Sequence, residues 1–277
     1  MPEVSHAIEV RDLEVRYGSG RSAPRILHGI SLDVRAGRTV GIVGESGSGK
    51  STLAKTLVGV LRPSAGSVTI GGLNVSSIRR AQRSQLRRSV QMIPQDPYSS
   101  LDPRCTIGEA LAEALDPRRA SVRKHRDEIV HWLETVKMPA DTIHRYPHEF
   151  SGGQRQRVAI ARGLILDPTV VIADEITSAL DVSVQAEILA LIARLRVELG
   201  LTMVFISHNL SVVRQVSDEV VVMYHGEIVE HSATAKLFNN PQHPYTRKLL
   251  SSIPGVPGFS IDPQPRQTGV EMAVRTC

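Results

Sequence analysis

Long apolar stretches, a signal segment and paired cysteines are all missing from this sequence. No apolar run approaches the roughly 18–20 residues that span a bilayer, and the longest runs, such as 170–173, have the length of a strand. Residues 1–9 carry charges and lack a long apolar core, which excludes a secretory signal. The only cysteines, Cys105 and Cys277, are too far apart to indicate a disulfide framework or a metal site. We therefore expect a soluble, intracellular chain in a reducing compartment.

Aromatic residues are also scarce, at 4% of the chain, which argues against stacking platforms for single-stranded nucleic acid. The formal net charge is +5, and such an excess of basic residues is compatible with binding to nucleic acid, to an anionic membrane surface or to phosphate ligands. A solvated surface is the simpler interpretation, and it explains the basic segment 79–88 equally well. The 277 residues, 41% of them hydrophobic, suffice for a core without disulfide or metal staples.

Strand and helix patterns alternate along most of the chain, which predicts an α/β fold with a parallel sheet. The predicted strands are 7–16, 30–34, 39–43, 67–70, 169–173, 202–207 and 219–223. The predicted helices are 51–61, 79–88, 106–136 with a break at Pro117, 154–166 and 184–199. Beyond Ser232 the many prolines predict loop-like chain, and we expect the last ~15 residues to be poorly ordered.

Residues 44–51 read Gly-Glu-Ser-Gly-Ser-Gly-Lys-Ser and fit the P-loop pattern G-x-x-x-x-G-K-[ST] at each specified position. The segment lies between a predicted strand and a predicted helix, as a P-loop does. Glycines let backbone N–H groups curl around an anion, and the helix N-terminus adds donors and a favourable dipole. We expect Lys50 to reach the β- and γ-phosphates of a nucleoside triphosphate and the Ser51 hydroxyl to ligate Mg²⁺.

A second candidate site lies where the predicted strand 169–173 ends in two acids, Asp174 and Glu175. Asp174 is placed to hold the Mg²⁺ shell. Glu175 can point at the γ-phosphate and polarise an attacking water. Solvated acids commonly end a strand, but their combination with a P-loop favours a catalytic role.

Residues 150–155, Phe-Ser-Gly-Gly-Gln-Arg, open a predicted helix between these two sites. They resemble the signature motif of ATP-binding cassette (ABC) proteins, and Ser151 lies 23 residues before Asp174, the Walker B acid of that family. The resemblance covers about residues 7–235. It implies an α/β P-loop NTPase with a RecA-like core, an antiparallel β subdomain and an α-helical signature subdomain at about 91–163. It further implies a transport ATPase domain at 1–235 and a C-terminal extension at 236–277.

The resemblance also implies roles for individual residues. Gln95 matches the Q-loop glutamine, residues 178–181, which end in Asp181, match the D-loop, and His208 matches the switch histidine that holds the γ-phosphate. The implied catalytic residues are Lys50, Gln95, Glu175 and His208, and the implied Mg²⁺ ligands are Ser51, Gln95 and Asp174. The implied ATP-binding residues are Tyr17, Gly44, Glu45, Ser46, Gly47, Ser48, Gly49, Lys50, Ser51, Thr52, Gln95, Ser151, Gly152, Gly153, Gln154 and Asp181. Tyr17 would stack on adenine, although it is almost as well explained as a surface residue with no role in binding.

Segments 95–104, 146–157 and 240–250 are similar to the ATPases of oligopeptide, dipeptide and nickel importers, in particular the second, F-type subunit. This implies a subunit that hydrolyses ATP to drive uptake of oligopeptides or dipeptides. Import of nickel or a metal chelate is the alternative, and a soluble cassette ATPase acting on nucleic acid is a more distant one.

The same resemblance implies partners and a location. The sequence has one P-loop and one signature, and each nucleotide of this family is sandwiched between two cassettes. A second cassette subunit is therefore required, and we expect a hetero-dimer. The other expected partners are two transmembrane permease subunits and, indirectly, an extracytoplasmic substrate-binding protein, with no nucleic acid. The expected location is the cytoplasmic face of the membrane, as a peripheral subunit.

A few residues depart from the family pattern or extend it. Ile176 replaces the usual Pro and Asn209 the usual Asp, and both are neighbours of the chemical groups of the site rather than the groups themselves. Pro94 replaces the common Phe of the Q-loop and could alter how that loop flexes. Tyr98 and Leu101 are candidate anchors for a permease helix, with packing inside the helical subdomain as the alternative. Mg²⁺ with nucleotide is the only metal we expect, because two cysteines cannot supply an all-cysteine iron–sulfur cluster.

Overall fold

Two β-sheets organise the chain. The structure, a computed structural model, describes residues 6–18 and 23–252, without the side chains of Tyr98 and Ser99. The strands are β1 (His6–Arg16), β2 (Arg25–Arg35), β3 (Thr39–Val43), β4 (Ala65–Ile70), β5 (Leu73–Asn74), β6 (Val90–Ile93), β7 (Val170–Asp174), β8 (Thr202–Ile206), β9 (Glu219–Tyr224) and β10 (Glu227–Ala233).

Helices cover the sheets and fill the segment between β6 and β7. They are α1 (Lys50–Leu57), α2 (Arg83–Ser89), α3 (Pro97–Ser100), α4 (Ile107–Leu115), α5 (Arg126–Thr135), α6 (Gly152–Leu164), α7 (Val182–Leu199), α8 (Leu210–Val216), α9 (Thr234–Asn239) and α10 (Pro244–Ser251). Short 3₁₀ turns occupy Arg80–Gln82, Ala140–His144 and Pro147–Glu149.

The larger sheet has the strand order β10-β9-β3-β8-β7-β6 and is parallel except for β10. Every residue of β3, β7 and β8 is buried, as expected for strands covered on both faces. Because the parallel strands end at one edge, the segments that follow β3, β6, β7 and β8 meet there. Those segments carry the P-loop, Gln95, the acidic pair and His208.

The smaller sheet has the order β2-β1-β4-β5 and is antiparallel. Its apolar side chains pack with α1 onto one face of the large sheet, against side chains such as Val170 and Ile172. The alternate residues Val171 and Ala173 point to the opposite face and pack with α4–α7. The predicted α/β architecture, with an antiparallel sheet and a helical part, is therefore confirmed, while the exact domain boundaries stay predictions.

The C-terminal part of the described chain differs from the prediction. Instead of loop beyond Ser232, the structure has the end of β10 and the two helices α9 and α10. Pro244 occupies the first turn of α10, where its missing N–H costs nothing, so it starts a helix rather than breaking one. Helix α1 ends at Leu57, earlier than predicted, because Gly59 has a φ of +76°. The tail predicted to be poorly ordered lies outside the described residues.

Neither β6 nor β10 was among the predicted strands, whereas the break at Pro117 is confirmed between α4 and α5. No helix in residues 6–18 or 23–252 is long and apolar enough to cross a membrane.

Candidate active site

The P-loop joins the buried end of β3 to α1 in a conformation that only glycine allows at two points. Gly44 has a φ of +153°, and a Cβ there would lie 2.2 Å from the Met223 carbonyl oxygen. Gly49, at the N-terminus of α1, has a φ of +103°, and a Cβ there would lie 2.8 Å from Leu27 Cδ2. The loop therefore packs tightly against β2 and β9, and its shape is fixed by its surroundings.

Lys50 lies inside the curve of this loop. Its Nζ donates to the carbonyl oxygens of Gly44 at 2.9 Å and Glu45 at 2.8 Å, and the residue is only 6% exposed. Burial lowers the pKa of Lys50, and the nearby carboxylates of Glu175 and Asp174 oppose that shift. The loop thus carries a buried ammonium group held by its own backbone, in a place where an anion can approach.

Asp174 ends β7 beside the first turn of α1 and is 5% exposed. Burial raises the pKa of Asp174, while a hydrogen bond from the Ser51 hydroxyl lowers it. Among the described residues, its Oδ1 has no hydrogen-bond partner. A buried carboxylate oxygen without a partner, next to a hydroxyl group, suits a hard cation such as Mg²⁺, which takes oxygen ligands.

Glu175 follows in a left-handed conformation, with a φ of +47° that is unusual for a residue with a side chain. Its backbone N–H donates to the Ile206 carbonyl at 2.9 Å, which ties the turn to β8. Its Oε2 accepts a hydrogen bond from Gln95 Nε2 at 3.0 Å and lies 3.2 Å from His208 Nδ1. Three residues predicted to be catalytic therefore meet at one carboxylate oxygen.

Lys50, Ser51 and the three side chains that meet at Glu175 line one open cavity of about 530 Å³, whereas Asp174 is not among the described residues of its lining. Its walls are Tyr17, Ile26, Ser46, Gly47, Gly49, Lys50, Ser51, Thr52, Gln95, Glu175 and His208. Tyr17 is 55% exposed. A phosphate chain that enters this cavity would meet both Lys50 and Glu175.

The signature residues are built separately, at the start of α6. The Ser151 hydroxyl accepts from Gln154 N at 3.4 Å, and Gln154 Oε1 accepts from Ser151 N at 2.9 Å, so the two residues form a capping box. A Cβ on Gly153 would lie 2.4 Å from Val184 Cγ1, so this glycine lets α6 pack closely on α7. Among the described residues, neither segment 151–154 nor Asp181, which lies at the start of α7, belongs to the lining of the cavity.

Some contacts of the site were not predicted. The Ser178 hydroxyl lies 3.4 Å from Gln95 Nε2, and the Tyr245 hydroxyl accepts from Glu45 N at 3.0 Å. Ser178 lies in the segment predicted to be the D-loop, and this motif could have indicated its place at the site. Tyr245 lies in segment 240–250, which resembles the importer ATPases, but nothing in the sequence pattern places it beside the P-loop. Asn209, one of the departures from the family pattern, caps α8 by accepting from Ser211 N at 3.0 Å.

Leu101 is not a docking anchor. It is 2% exposed and packs in the core with α4 and α6, so the alternative of internal packing is right for it. The side chain of Tyr98, the other candidate anchor, lies outside the described residues. Ile176, where the family pattern has Pro, is 1% exposed and belongs to the same core.

Comparison with known proteins decides the family. A sequence profile described as "ABC transporter" matches residues 27–178, from β2 through the P-loop, the signature and both acids. The chain belongs to the ABC transporter family, as an ATP-binding cassette. A second profile, "Oligopeptide/dipeptide transporter, C-terminal region", matches residues 229–268 of the cassette. Both resemblances stated from the sequence are thereby confirmed.

Curated relatives match the cassette over most of its length. It is 49% identical over 249 residues to the di/tripeptide transport ATP-binding protein DppF of Pseudomonas aeruginosa, covering 89% of this chain and 77% of that protein. It is 45% identical over 250 residues to the oligopeptide transport ATP-binding protein OppF of Bacillus subtilis, covering 89% and 82%. A putative peptide import ATP-binding protein of Brucella ovis is 46% identical over 248 residues, covering 89% and 78%.

Solved structures agree on the fold. A dimeric ATP-binding cassette in a post-hydrolysis state with ADP and phosphate superposes with a TM-score of 0.72 at 27% identity, covering 82% of this chain and 98% of that one. CbiO1 of Clostridium perfringens, part of an ABC transporter complex, also gives a TM-score of 0.72, at 28% identity, covering 85% and 91%. As a member of this family, the cassette binds ATP and hydrolyses it.

Proposed function

We propose that this cassette is the ATP-binding subunit of an importer of oligopeptides or dipeptides. The observation that carries the proposal is the match of residues 229–268 to the C-terminal region of oligopeptide and dipeptide transporters, in addition to the cassette itself. The names of the relatives point to peptides rather than to the alternative of nickel. In this role the cassette docks on two permease subunits at the cytoplasmic face of the membrane, and an external binding protein delivers the peptide.

We assign the chemistry to the residues that meet at the cavity. Lys50 donates to the β- and γ-phosphates, because it is the buried ammonium group of the loop. Glu175 orients and polarises the attacking water, and it is supported by the contacts to Gln95 and His208. Phosphoryl transfer needs little covalent chemistry from the protein, so positioning and charge stabilisation provide most of the catalysis.

Mg²⁺ fits the group formed by Asp174 and Ser51. The unpartnered Asp174 Oδ1 and the Ser51 hydroxyl would be its oxygen ligands, and Gln95 lines the same cavity as Ser51. A bound Mg²⁺ would neutralise charge on the phosphate oxygens. The chain itself keeps Asp174 buried, and the hydrogen bond from Ser51 holds its carboxylate against α1.

The signature residues act, in this proposal, on a nucleotide bound by a second cassette. Ser151 is exposed at the N-terminus of α6, whose first N–H groups and dipole favour an anion. Segment 151–154 and Asp181 lie outside the lining of this chain's own cavity, which supports a role at a partner's site. The importer then holds two cassettes, and we expect the second one to be a different subunit.

We expect S151A to lower ATP turnover in the assembled importer by roughly 10-fold or more, the worth of a hydrogen bond to a charged group. ATP binding by the isolated cassette should be unchanged. T106A is the matched control, since Thr106 caps α4 in the same kind of capping box. Both variants should lose roughly 1 kcal/mol of stability. Equal turnover by the two variants would show that Ser151 is only a helix cap.

The proposed function is tested by the response of ATP hydrolysis to substrate. The purified importer is combined with its binding protein, and phosphate release is measured with di- and oligopeptides, with nickel, and without substrate. Stimulation by peptide alone is the expected result. Stimulation by nickel and not by peptide would establish the alternative, and a response to neither would refute peptide import.

A further inference from the structure

Helix α10, in the predicted C-terminal extension, contacts the P-loop through one side chain. The Tyr245 hydroxyl accepts a hydrogen bond from the backbone N–H of Glu45 at 3.0 Å. Tyr245 is 9% exposed, and its ring packs on Tyr224, with the ring centroids 4.2 Å apart. The ring is thus part of the packing between α10 and the end of β9, whereas the hydroxyl reaches the loop.

The peptide group that Tyr245 holds is the same one that Lys50 contacts. The N–H of Glu45 and the C=O of Gly44 belong to a single peptide unit, in which the two groups point in opposite directions. Lys50 Nζ donates to that C=O at 2.9 Å. The peptide is therefore fixed from both sides, by the Tyr245 hydroxyl at its N–H and by the Lys50 ammonium at its oxygen.

The start of α10 is itself held in place. Glu230 on β10 accepts hydrogen bonds from the backbone N–H groups of Gln242 and His243, each at 2.9 Å. His243 Nδ1 in turn accepts from Tyr245 N at 3.2 Å. Further along α10, Leu250 packs in the same core as Tyr245. The hydroxyl therefore approaches the P-loop from a fixed element.

We propose that Tyr245 is a positioning residue for ATP, which links the C-terminal extension to the nucleotide site. By holding the Gly44–Glu45 peptide, it keeps the loop in the shape that presents Lys50 and the loop N–H groups to the phosphates. Without the hydroxyl, this peptide can rotate. The loop then loses conformational entropy when ATP binds, which lowers the affinity for ATP. The inference rests on the role of the P-loop as the ATP site.

The test is the variant Y245F in the full chain, which removes the hydroxyl and keeps the ring. We expect the Kd for Mg-ATP and the KM in the importer to rise by about 2- to 10-fold, the worth of one hydrogen bond. The kcat at saturating ATP and the thermal midpoint should stay close to wild type. The control is Y224F, the same change in the packing partner, which should leave the affinity unchanged.

Each other outcome overturns a defined part of the inference. Equal affinities for Y245F and Y224F refute the role of Tyr245. A lower thermal midpoint with affinity and kcat reduced together, or loss of folding, would show that the hydroxyl serves the fold instead. K50A is measured in parallel. If K50A leaves the ATP affinity unchanged, the loop is not the ATP site, and this failure is distinct from a failure of the role of Tyr245.

Discussion

The variant E175Q is expected to lower ATP turnover by about 10²–10⁴-fold, the usual cost of losing a general base. Glutamine keeps the volume of the side chain and can still accept from Gln95, which donates to Glu175 Oε2 at 3.0 Å. It cannot polarise the attacking water as a carboxylate does. ATP binding should therefore persist while phosphate release in the assembled importer falls.

The control for this variant is E198Q, the same chemical change on the exposed face of α7. Within the described part of the chain, Glu198 forms an ion pair with Arg194, one turn before it, at 2.9 Å, and exposed pairs of this kind contribute little to stability. E198Q should hydrolyse ATP at the wild-type rate. If E175Q also does so, Glu175 is not the residue that activates water.

The second large effect is expected for K50A, which should weaken ATP binding by about 10- to 150-fold, since hydrogen bonds to charged groups contribute about 1.5–3 kcal/mol. The substitution removes the only side chain that donates to the carbonyl oxygens of Gly44 and Glu45 among the contacts described. Isothermal titration calorimetry of the full chain with Mg-ATP measures the change in Kd.

K236A is the matched control, because Lys236 is an exposed lysine on α9, away from the cavity lining. It should bind ATP with wild-type affinity. An affinity of K50A within twofold of wild type would remove Lys50 from the nucleotide site, whatever happens to turnover.

The parts of the fold that were predictable are those with an unambiguous local pattern. Strands β3 and β7 are short apolar runs, each buried along its whole length and followed at once by a recognisable motif. Strand β6 has only four residues, Val-Gln-Met-Ile, and two of them are partly exposed, so its pattern is weak. The segments of helices α9 and α10 were predicted to be loops because prolines lie beside them. A proline in the first turn, such as Pro244, can start a helix as readily as a proline can end one.

The candidate site divides in the same way. Each motif is local, but the meeting of Gln95, Glu175 and His208 at one oxygen depends on three strands ending at the same sheet edge. The bond from Glu45 to Tyr245 joins residues 200 positions apart, and no spacing in the sequence encodes it. Packing of α10 against β9 brings them together, so only the structure shows that contact.

ATP-driven peptide uptake tests the central claim most directly. The importer is reconstituted in vesicles that contain Mg-ATP, with the cassettes facing the lumen and the binding protein outside, and the entry of a labelled dipeptide is measured. With the wild-type cassette the dipeptide should accumulate against its gradient, and with E175Q accumulation should fall to the level seen without ATP. Full accumulation with E175Q, or none with the wild-type cassette in a complex that still hydrolyses ATP, would contradict the account.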